Sequence, residues 1–415
     1  MSTSEIPVTG TPKKAKLPWM DWILLPGLGL LTLALLGVSM ELIAMKLFPS
    51  EGSMRPCLVW DDRSTGVRGI PKCNCTEKIP EGDLVEYRFN SCGDYTAVEC
   101  GPKPADTYRI VMTGTSFPVG LGVAREKTFA ATLPIELSRL TGRKVELYNA
   151  SLPRKTPRTV ALDIDQMLAQ KPDMFLWVIN YSDIQLASVL APADFVAENA
   201  MPRASEKFST APGAAPAFPS IAWIRMKAVL GVSTILHAVN SNWRETRSYV
   251  MLNHFIAVNE SQSEYLKRNR TNESQYLDAE PSPGRLTHLK EFDGYVAEVM
   301  AHAKAAGVPV VAVFTPTRIV AALISKGEWS PDLDPYKLDE EMRAIVESHG
   351  GIYVDILPDY RTAPNPENGF YPADGHFNPE GHAMVTEFLA RELTNGSVPG
   401  LTLGARAQAE AEQKR

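Results

Sequence analysis

The chain has 415 residues, room for one large α/β domain with additions or for two domains. Its 22% charged and 44% hydrophobic content is ordinary for a globular protein. A net charge of −6 without a basic stripe argues against a nucleic-acid partner.

Taken from the start, Lys13, Lys14 and Lys16 precede Trp22–Met40, 19 residues without a charge and about the length that crosses a bilayer. Lysines on that side predict a cytoplasmic tail over 1–18, an anchor over 19–48, and everything after Glu41 on the periplasmic or extracellular side. A cleaved signal peptide is the rival reading, but the apolar run is long and no clear small-x-small site follows it. The five cysteines, Cys57, Cys73, Cys75, Cys92 and Cys100, all fall in the next segment, 49–104. They predict a small disulfide-tied neck or cap in an oxidising compartment, with one thiol left over and the pairing open. A zinc site is the weaker alternative, because Cys73-x-Cys75 is tight for one metal and the window has no histidine.

From Thr107 the pattern becomes α/β. Arg109–Thr113 reads as a buried strand ending at Gly114, followed by a helix over Thr128–Leu140 that Gly142 closes. Lys144–Tyr148 is a second strand. A helix over Thr159–Gln170 stops at Lys171-Pro172, and the apolar run Met174–Ile179 reads as a central parallel strand. Residues 190–220 then read as a loop rich in Pro, Ala and Ser. Residues 221–258 look helical, with Ser220 as N-cap, and 259–284 turn polar. Within this insertion, about 190–285, the apolar face that includes Trp223, Trp243 and Phe255 is interrupted by Arg225, Lys227, Arg244 and Arg247. It is therefore not a second span. Helices packed on the domain are the plainer reading, and a lid or membrane-surface helix is the sharper one. The alternation resumes with a helix over 286–306, a strand at Val308–Phe314, a helix over 336–348, a strand at Gly351–Asp355 and a last helix over Pro379–Leu393.

Strands alternating with helices predict an α/β fold: a three-layer, flavodoxin-like parallel sheet over 105–398 with a helical insertion, preceded by one transmembrane helix and followed by a disordered tail over 399–415. Sites on such sheets lie past the carboxyl ends of the strands. Ser116, Asn149–Ser151, Asn180–Asp183 and Thr315–Arg318 all fall there.

Chemistry concentrates in a few of these residues. A serine hydroxyl such as that of Ser116 needs a base to take its proton. His376 is the candidate base, because imidazole is the side chain suited to proton transfer at neutral pH, and Asp374 could fix its tautomer. The blander reading has Ser116 starting a loop, Asp374 or Asn378 capping the last helix, and His376 on the surface. His382, inside that helix, reads as a packing residue. Arg154 and Arg318 could bind a carboxylate or sulfate on a sugar, or be solvated loop arginines.

The same clusters resemble the SGNH/GDSL hydrolase superfamily over about Thr107–Leu393. Gly114-Thr115-Ser116 is similar to the Gly-Asp-Ser block. Pro172-Asp173 and the strand leading to Asp183 are similar to the block in which Pro-Asp opens a strand ending Gly-x-Asn-Asp. Asp374-Gly-His376-Phe-Asn-Pro-Glu-Gly-His382 is similar to the block that supplies acid and base. The resemblance implies the SGNH fold, with Ser116 as nucleophile, His376 as base and Asp374 as its orienter. It implies an oxyanion hole made by the Ser116 N–H, a block-two glycine N–H and a block-three asparagine. Here Ser151 stands where that glycine is usual, Ser182 at the asparagine position, and Asn180 at the preceding glycine position. The Asp-x-His spacing resembles the membrane-tethered alginate O-acetylation branch.

The resemblance thus implies a membrane-anchored serine esterase or O-acyltransferase acting on acyl, foremost acetyl, esters of envelope or secreted carbohydrate. Its partners would be the membrane, the acylated carbohydrate and a membrane acyltransferase, with no metal or organic cofactor. The altered oxyanion positions keep a second reading open: a catalytically degenerate SGNH fold that binds glycan or scaffolds an envelope complex.

Overall fold

A computed structural model describes residues 20–59, 66–187, 246–269 and 274–404. The first helix, α1 (Asp21–Leu47), has 27 residues and is about 40 Å long. Trp22, Leu30 and Leu36 on it are more than 60% exposed, and Trp22–Leu47 is long and apolar enough to cross a membrane. The expected tail over 1–18 lies outside the described residues.

The neck is antiparallel. Asn74–Lys78 pairs with Leu84–Arg88 on one side and with Glu51–Gly52 on the other, and Leu58–Val59 pairs with Arg68–Gly69. Disulfides join Cys57 to Cys73 and Cys92 to Cys100, which removes four cysteines from any zinc site; Cys75 is the free thiol. Met54, Leu58, Tyr87, Phe89 and Tyr95 form a small core that also takes in Val119 and Leu152. Those two residues flank the first two strands of the main sheet, so the neck packs onto the α/β domain.

That domain is built on β1 (Thr107–Gly114), β2 (Lys144–Asn149), β3 (Met174–Ile179), β4 (Val310–Phe314) and β5 (Ile352–Val354). All neighbours run parallel, in the order β5-β4-β3-β1-β2. Every residue of β1, β3 and β4 is buried. β3 and β4 are accordingly apolar on both faces, each large apolar side chain contributing about 2 kcal/mol by leaving water, whereas in β1 the buried Arg109 is paired with Glu146 of β2. One helical layer contains α2 (Phe129–Thr141), packed against the C-terminal helix described below. The other contains α3 (Pro157–Leu168) packed on a long helix over Pro283–Ala305. The expected three-layer parallel fold is the observed one.

Between β3 and β4 the described insertion comprises α4 (Arg247–Asn259), α5 (Gln262–Asn269), the short turn Ser274–Leu277 and the long helix α6 (Pro283–Ala305). The expected helix over 221–258 is described only at its end, as α4. That helix leans on α1 and the residue that follows it: the Arg247 and Ser248 N–H groups donate to the Glu41 carboxylate, each over 2.8 Å, and the ring of Phe48 lies 5.0 Å from that of His254. The stretch read only as polar, 259–284, contains α5, whose Tyr265 is its buried contact with the domain. After β4, a helix absent from the sequence reading, α7 (Arg318–Lys326), is buried almost throughout. Its apolar stretch, Ile319–Ile324, is too short for periodicity to tell a helix from a strand, although Gly327 at its end (φ +72°) is a normal helix stop. Then come α8 (Lys337–Ser348), β5 and α9 (Pro379–Leu393). The tail expected to be disordered from 399 begins as packed chain: Leu401 is fully buried, Pro399 O accepts from Tyr108 Oη, and Gly404 N–H donates to Leu140 O. An apolar side chain and two main-chain contacts hold what composition alone presents as a loose end.

Candidate active site

β1 must end at Gly114. A Cβ there would lie 2.4 Å from Val178 O on β3 and 2.8 Å from Pro118 Cγ. The bare backbone lets the chain stay paired to β3 while turning through Thr115 into a single helical turn, Ser116–Val119. This places Ser116 at the carboxyl edge of the sheet. From the far end of the chain, Asn378 caps α9 by accepting the Glu380 and Gly381 N–H groups. The loop just before it returns to the same edge, with Gly375 in the left-handed region (φ +87°) between acid and base.

The loop brings Asp374 and His376 to Ser116. Ser116 Oγ lies 2.7 Å from His376 Nε2, and His376 Nδ1 lies 2.6 Å from Asp374 Oδ1. With the carboxylate accepting from Nδ1–H, Nε2 carries the lone pair that faces the serine hydroxyl. Burial by itself would raise the Asp374 carboxyl pKa. The adjacent His376, by its charge and by hydrogen bonds from its ring and its backbone N–H, outweighs burial and holds Asp374 below the usual carboxylate value. The His376 ring is steadied by Phe117, centroids 5.0 Å apart.

The other predicted residues are less uniform. Ser151 is fully buried; its N–H donates to Asn149 Oδ1 at 3.1 Å and its hydroxyl has no partner. In the loop after β2 the left-handed backbone, which glycine favours, falls at Arg154 (φ +64°) and not at Ser151. Asn180 is fully buried and held in place. Its Nδ2 donates to Thr115 Oγ1 at 2.6 Å, and its Oδ1 accepts from the Ser182 N–H at 2.8 Å and hydroxyl at 2.5 Å. Ser182 itself lines the same pocket as Ser116. Asp183 caps the short helix that begins there, accepting the Asn180 N–H, and burial pushes its carboxyl up to about 8.

This pocket has a volume of about 390 Å³ and is lined by Ser116, Ser182, Arg318 and His376 from the domain and by Tyr249 and Tyr265 from the insertion. Arg318 opens α7, donates to Glu367 O and Pro372 O, and lies 4.2 Å over the ring of Tyr265. Arg154 is not in the lining. His382 is fully buried on α9; its Nδ1 accepts the Phe129 N–H at 3.2 Å, and burial, with the nearby His376, pushes its pKa down to about 3. It is a neutral packing residue, as read. Sequence reasoning gave no sign of Glu81, in the neck, whose Oε2 accepts the backbone N–H groups of both Ala373 and Asp374 at 2.8 Å. No motif marks it, because its partners are main-chain groups 290 residues away. Among the described residues no cluster of three His, Cys, Asp or Glu side chains is suited to a metal ion.

Comparison of the chain with family models and with curated proteins gives no match. Solved structures with a similar course of chain include an esterase from Pseudoalteromonas sp. (10% identity, TM-score 0.34, covering 69% of this chain and 96% of that one). A lipase/acylhydrolase from Enterococcus faecalis gives 10% identity and a TM-score of 0.34 over 69% and 95% of the two chains. A member of the lipolytic G-D-S-L family from Veillonella parvula gives 8% identity and a TM-score of 0.34 over 69% and 99%. At these identities and scores the likeness says nothing of activity, which rests on the side chains described above. The parallel sheet order and the Ser116–His376–Asp374 relay are what the resemblance to the SGNH/GDSL hydrolase superfamily implies for this chain.

Proposed function

We propose that this protein is a membrane-anchored, extracytoplasmic serine esterase or O-acyltransferase that acts on acyl, foremost acetyl, esters of carbohydrate. One observation carries the reading: a hydrogen-bonded Ser116–His376–Asp374 relay at 2.7 and 2.6 Å, opening into a polar pocket. In the proposed reaction Ser116 Oγ attacks the ester carbonyl carbon while His376 Nε2 takes its proton. Asp374 stabilises the imidazolium that forms. The tetrahedral intermediate collapses as His376 returns the proton to the departing alkoxide oxygen, leaving an acyl group on Ser116. Water or a sugar hydroxyl, deprotonated by the same nitrogen, then takes the acyl group, and His376 passes that proton to the departing Ser116 Oγ. The Ser116 N–H, at the first position of its helical turn, makes no intrahelical bond and can face the developing oxyanion. Ser182 is the second donor in reach of that pocket. Tyrosine faces and the Arg318 guanidinium suit a sugar ring and its polar substituents. Support for the extracytoplasmic side comes from two disulfides and from the lysines before α1. The alginate O-acetylation resemblance adds a membrane acyltransferase as the acyl-delivering partner.

Hydrolysis of p-nitrophenyl acetate by the protein, beside Ser116→Ala and His376→Ala, tests this; equal rates in all three would end the enzyme reading for simple esters. One specific observation favours the second reading, a degenerate glycan-binding or scaffold protein. The Ser151 N–H is engaged by Asn149, and the Ser182 hydroxyl donates to Asn180, so both stand-in donors are committed within the protein. Labelling of Ser116 by a fluorophosphonate separates the two, since only a working relay reacts.

A further inference from the structure

We propose that Glu81 is a positioning residue for the relay: a hairpin of the disulfide-bearing neck holds the backbone of Asp374 in place. The inference rests on the esterase reading above for its consequence, but its geometry stands alone. Glu81 sits in the turn between the antiparallel strands Asn74–Lys78 and Leu84–Arg88. Its side chain is 1% exposed. A carboxylate withdrawn from water so completely must be compensated by donors, and it has three. Oε2 accepts the N–H groups of Ala373 and Asp374, both at 2.8 Å, and Oε1 lies 2.7 Å from His254 Nδ1. Hydrogen bonds to an ionised acceptor are about twice as strong as neutral ones.

The turn is itself held against the serine side of the site. Asp83 N–H donates to Gly122 O at 2.8 Å, and the same carbonyl accepts from Tyr371 Oη at 2.8 Å. Gly82 and Gly122 approach so closely that a Cβ on Gly82 would lie 2.6 Å from Gly122 Cα. Gly122 follows the helical turn that begins with Ser116, and Tyr371 precedes Asp374. One hairpin tip therefore touches the chain on both sides of the relay, and Glu81 is the member that bonds the Asp374 main chain. Its third contact, His254, is on α4, whose N-terminus is bound by Glu41 of the anchor helix. The acid of the relay is thus held from outside the α/β domain, by the neck and by the helix that leans on the anchor.

The full chain, purified in detergent, tests the role. Turnover of p-nitrophenyl acetate is measured per serine labelled by fluorophosphonate in a reaction run to its end point, so that an unfolded fraction is discounted while a slowed relay is still counted. Glu81→Ala is expected to lower kcat per labelled serine about tenfold or more while KM stays within about twofold, the pattern of a displaced relay. The Ala373 and Asp374 amides should exchange hydrogen faster. Glu81→Gln, whose amide oxygen can accept the same two N–H groups, should recover most of both. His254→Ala leaves both amide contacts and should cost less than Glu81→Ala. Wild-type turnover per labelled serine in Glu81→Ala, unchanged exchange at 373 and 374, or a larger loss in His254→Ala than in Glu81→Ala would each overturn the assignment. If the wild type hydrolyses no faster than Ser116→Ala, the esterase reading fails. In that case amide exchange still decides whether Glu81 holds the loop, unchanged exchange overturning it.

Discussion

Ser116 Oγ and His376 Nε2 stand 2.7 Å apart although 260 residues separate them in the chain. The contact exists because β1 and the loop before α9 both end at the carboxyl edge of one parallel sheet. The serine is held by the Gly114 turn, and the histidine by Asp374, by Phe117 and by the cap of α9. Such a pair does chemistry only if the histidine keeps the right tautomer, and that depends on Asp374.

Replacing Asp374 by Asn should therefore leave the fold intact and lower kcat by about three to four orders of magnitude, because an amide can present its NH2 to Nδ1 and favour the wrong tautomer. Steady-state hydrolysis of p-nitrophenyl acetate, with circular dichroism as the folding control, measures this. A loss below tenfold would mean that Asp374 does not orient the base.

Ser182→Ala and Ser151→Ala should behave differently. Ser182 lines the pocket, and loss of one oxyanion donor costs about a hundredfold in kcat. Ser151 contributes a buried hydroxyl with no partner, so its removal should leave kcat unchanged and stability equal or higher by up to about 1 kcal/mol. The same turnover assay and a urea melt read both; a matched fall in kcat would make the Ser151 hydroxyl a donor as well.

His382 should make a distinct contribution to acid sensitivity. Its folded-state pKa is pushed down to about 3, below the ordinary histidine value of about 6.5. The unfolded chain therefore binds the proton more readily over that window. The stability due to neutral His382 is complete above about pH 6.5 and is lost as pH falls toward 3, by about 1.4 kcal/mol per unit. In the difference between wild type and His382→Gln, followed by urea unfolding from pH 7 to 4, this slope should appear as the advantage of the wild type shrinking. A difference independent of pH would show that His382 is not held neutral.

Lys155 and Asp163 form an ion pair at 2.8 Å with side chains only 1% and 6% exposed. Lys155 also donates to Ala150 O, which ties α3 to the loop after β2. Lys155→Met should cost about 3–5 kcal/mol by leaving a buried carboxylate uncompensated, whereas Lys155→Met with Asp163→Leu should recover most of that loss. Guanidinium unfolding of the three proteins measures it. A double variant as unstable as the single one would mean that the pair itself, and not its desolvation, dominates.

Much of the architecture was legible from local signals. The strand Met174–Ile179 was readable because a parallel strand buried on both faces is a continuous apolar run, and Arg109–Thr113 and Lys144–Tyr148 because short runs rich in apolar residues are set off by Gly114 and Gly142. α9 was readable because Asn378 and Pro379 mark its start. α7 was missed because its apolar stretch, Ile319–Ile324, is short, and a short apolar run does not distinguish a helix from a strand. The polar segment containing α5 was missed because a short helix that buries one tyrosine leaves almost no apolar pattern.

By itself the sequence determined the elements and the chemical types at the strand ends: a serine after the first strand, an acid and a histidine before the last helix, a cysteine-bearing segment behind an apolar run. These are local, since a turn, a cap or a strand is decided by a few neighbouring residues. Tertiary structure decided which of those groups meet. It engaged the Ser151 N–H with Asn149, turned Arg154 rather than Ser151 into the left-handed position, paired Cys57 with Cys73 and Cys92 with Cys100, and brought Glu81 under the Asp374 backbone. Contacts between a side chain and a distant main-chain amide leave no trace in residue type at the amide, because every residue except proline carries the same N–H. Only the folded path of the chain can place them.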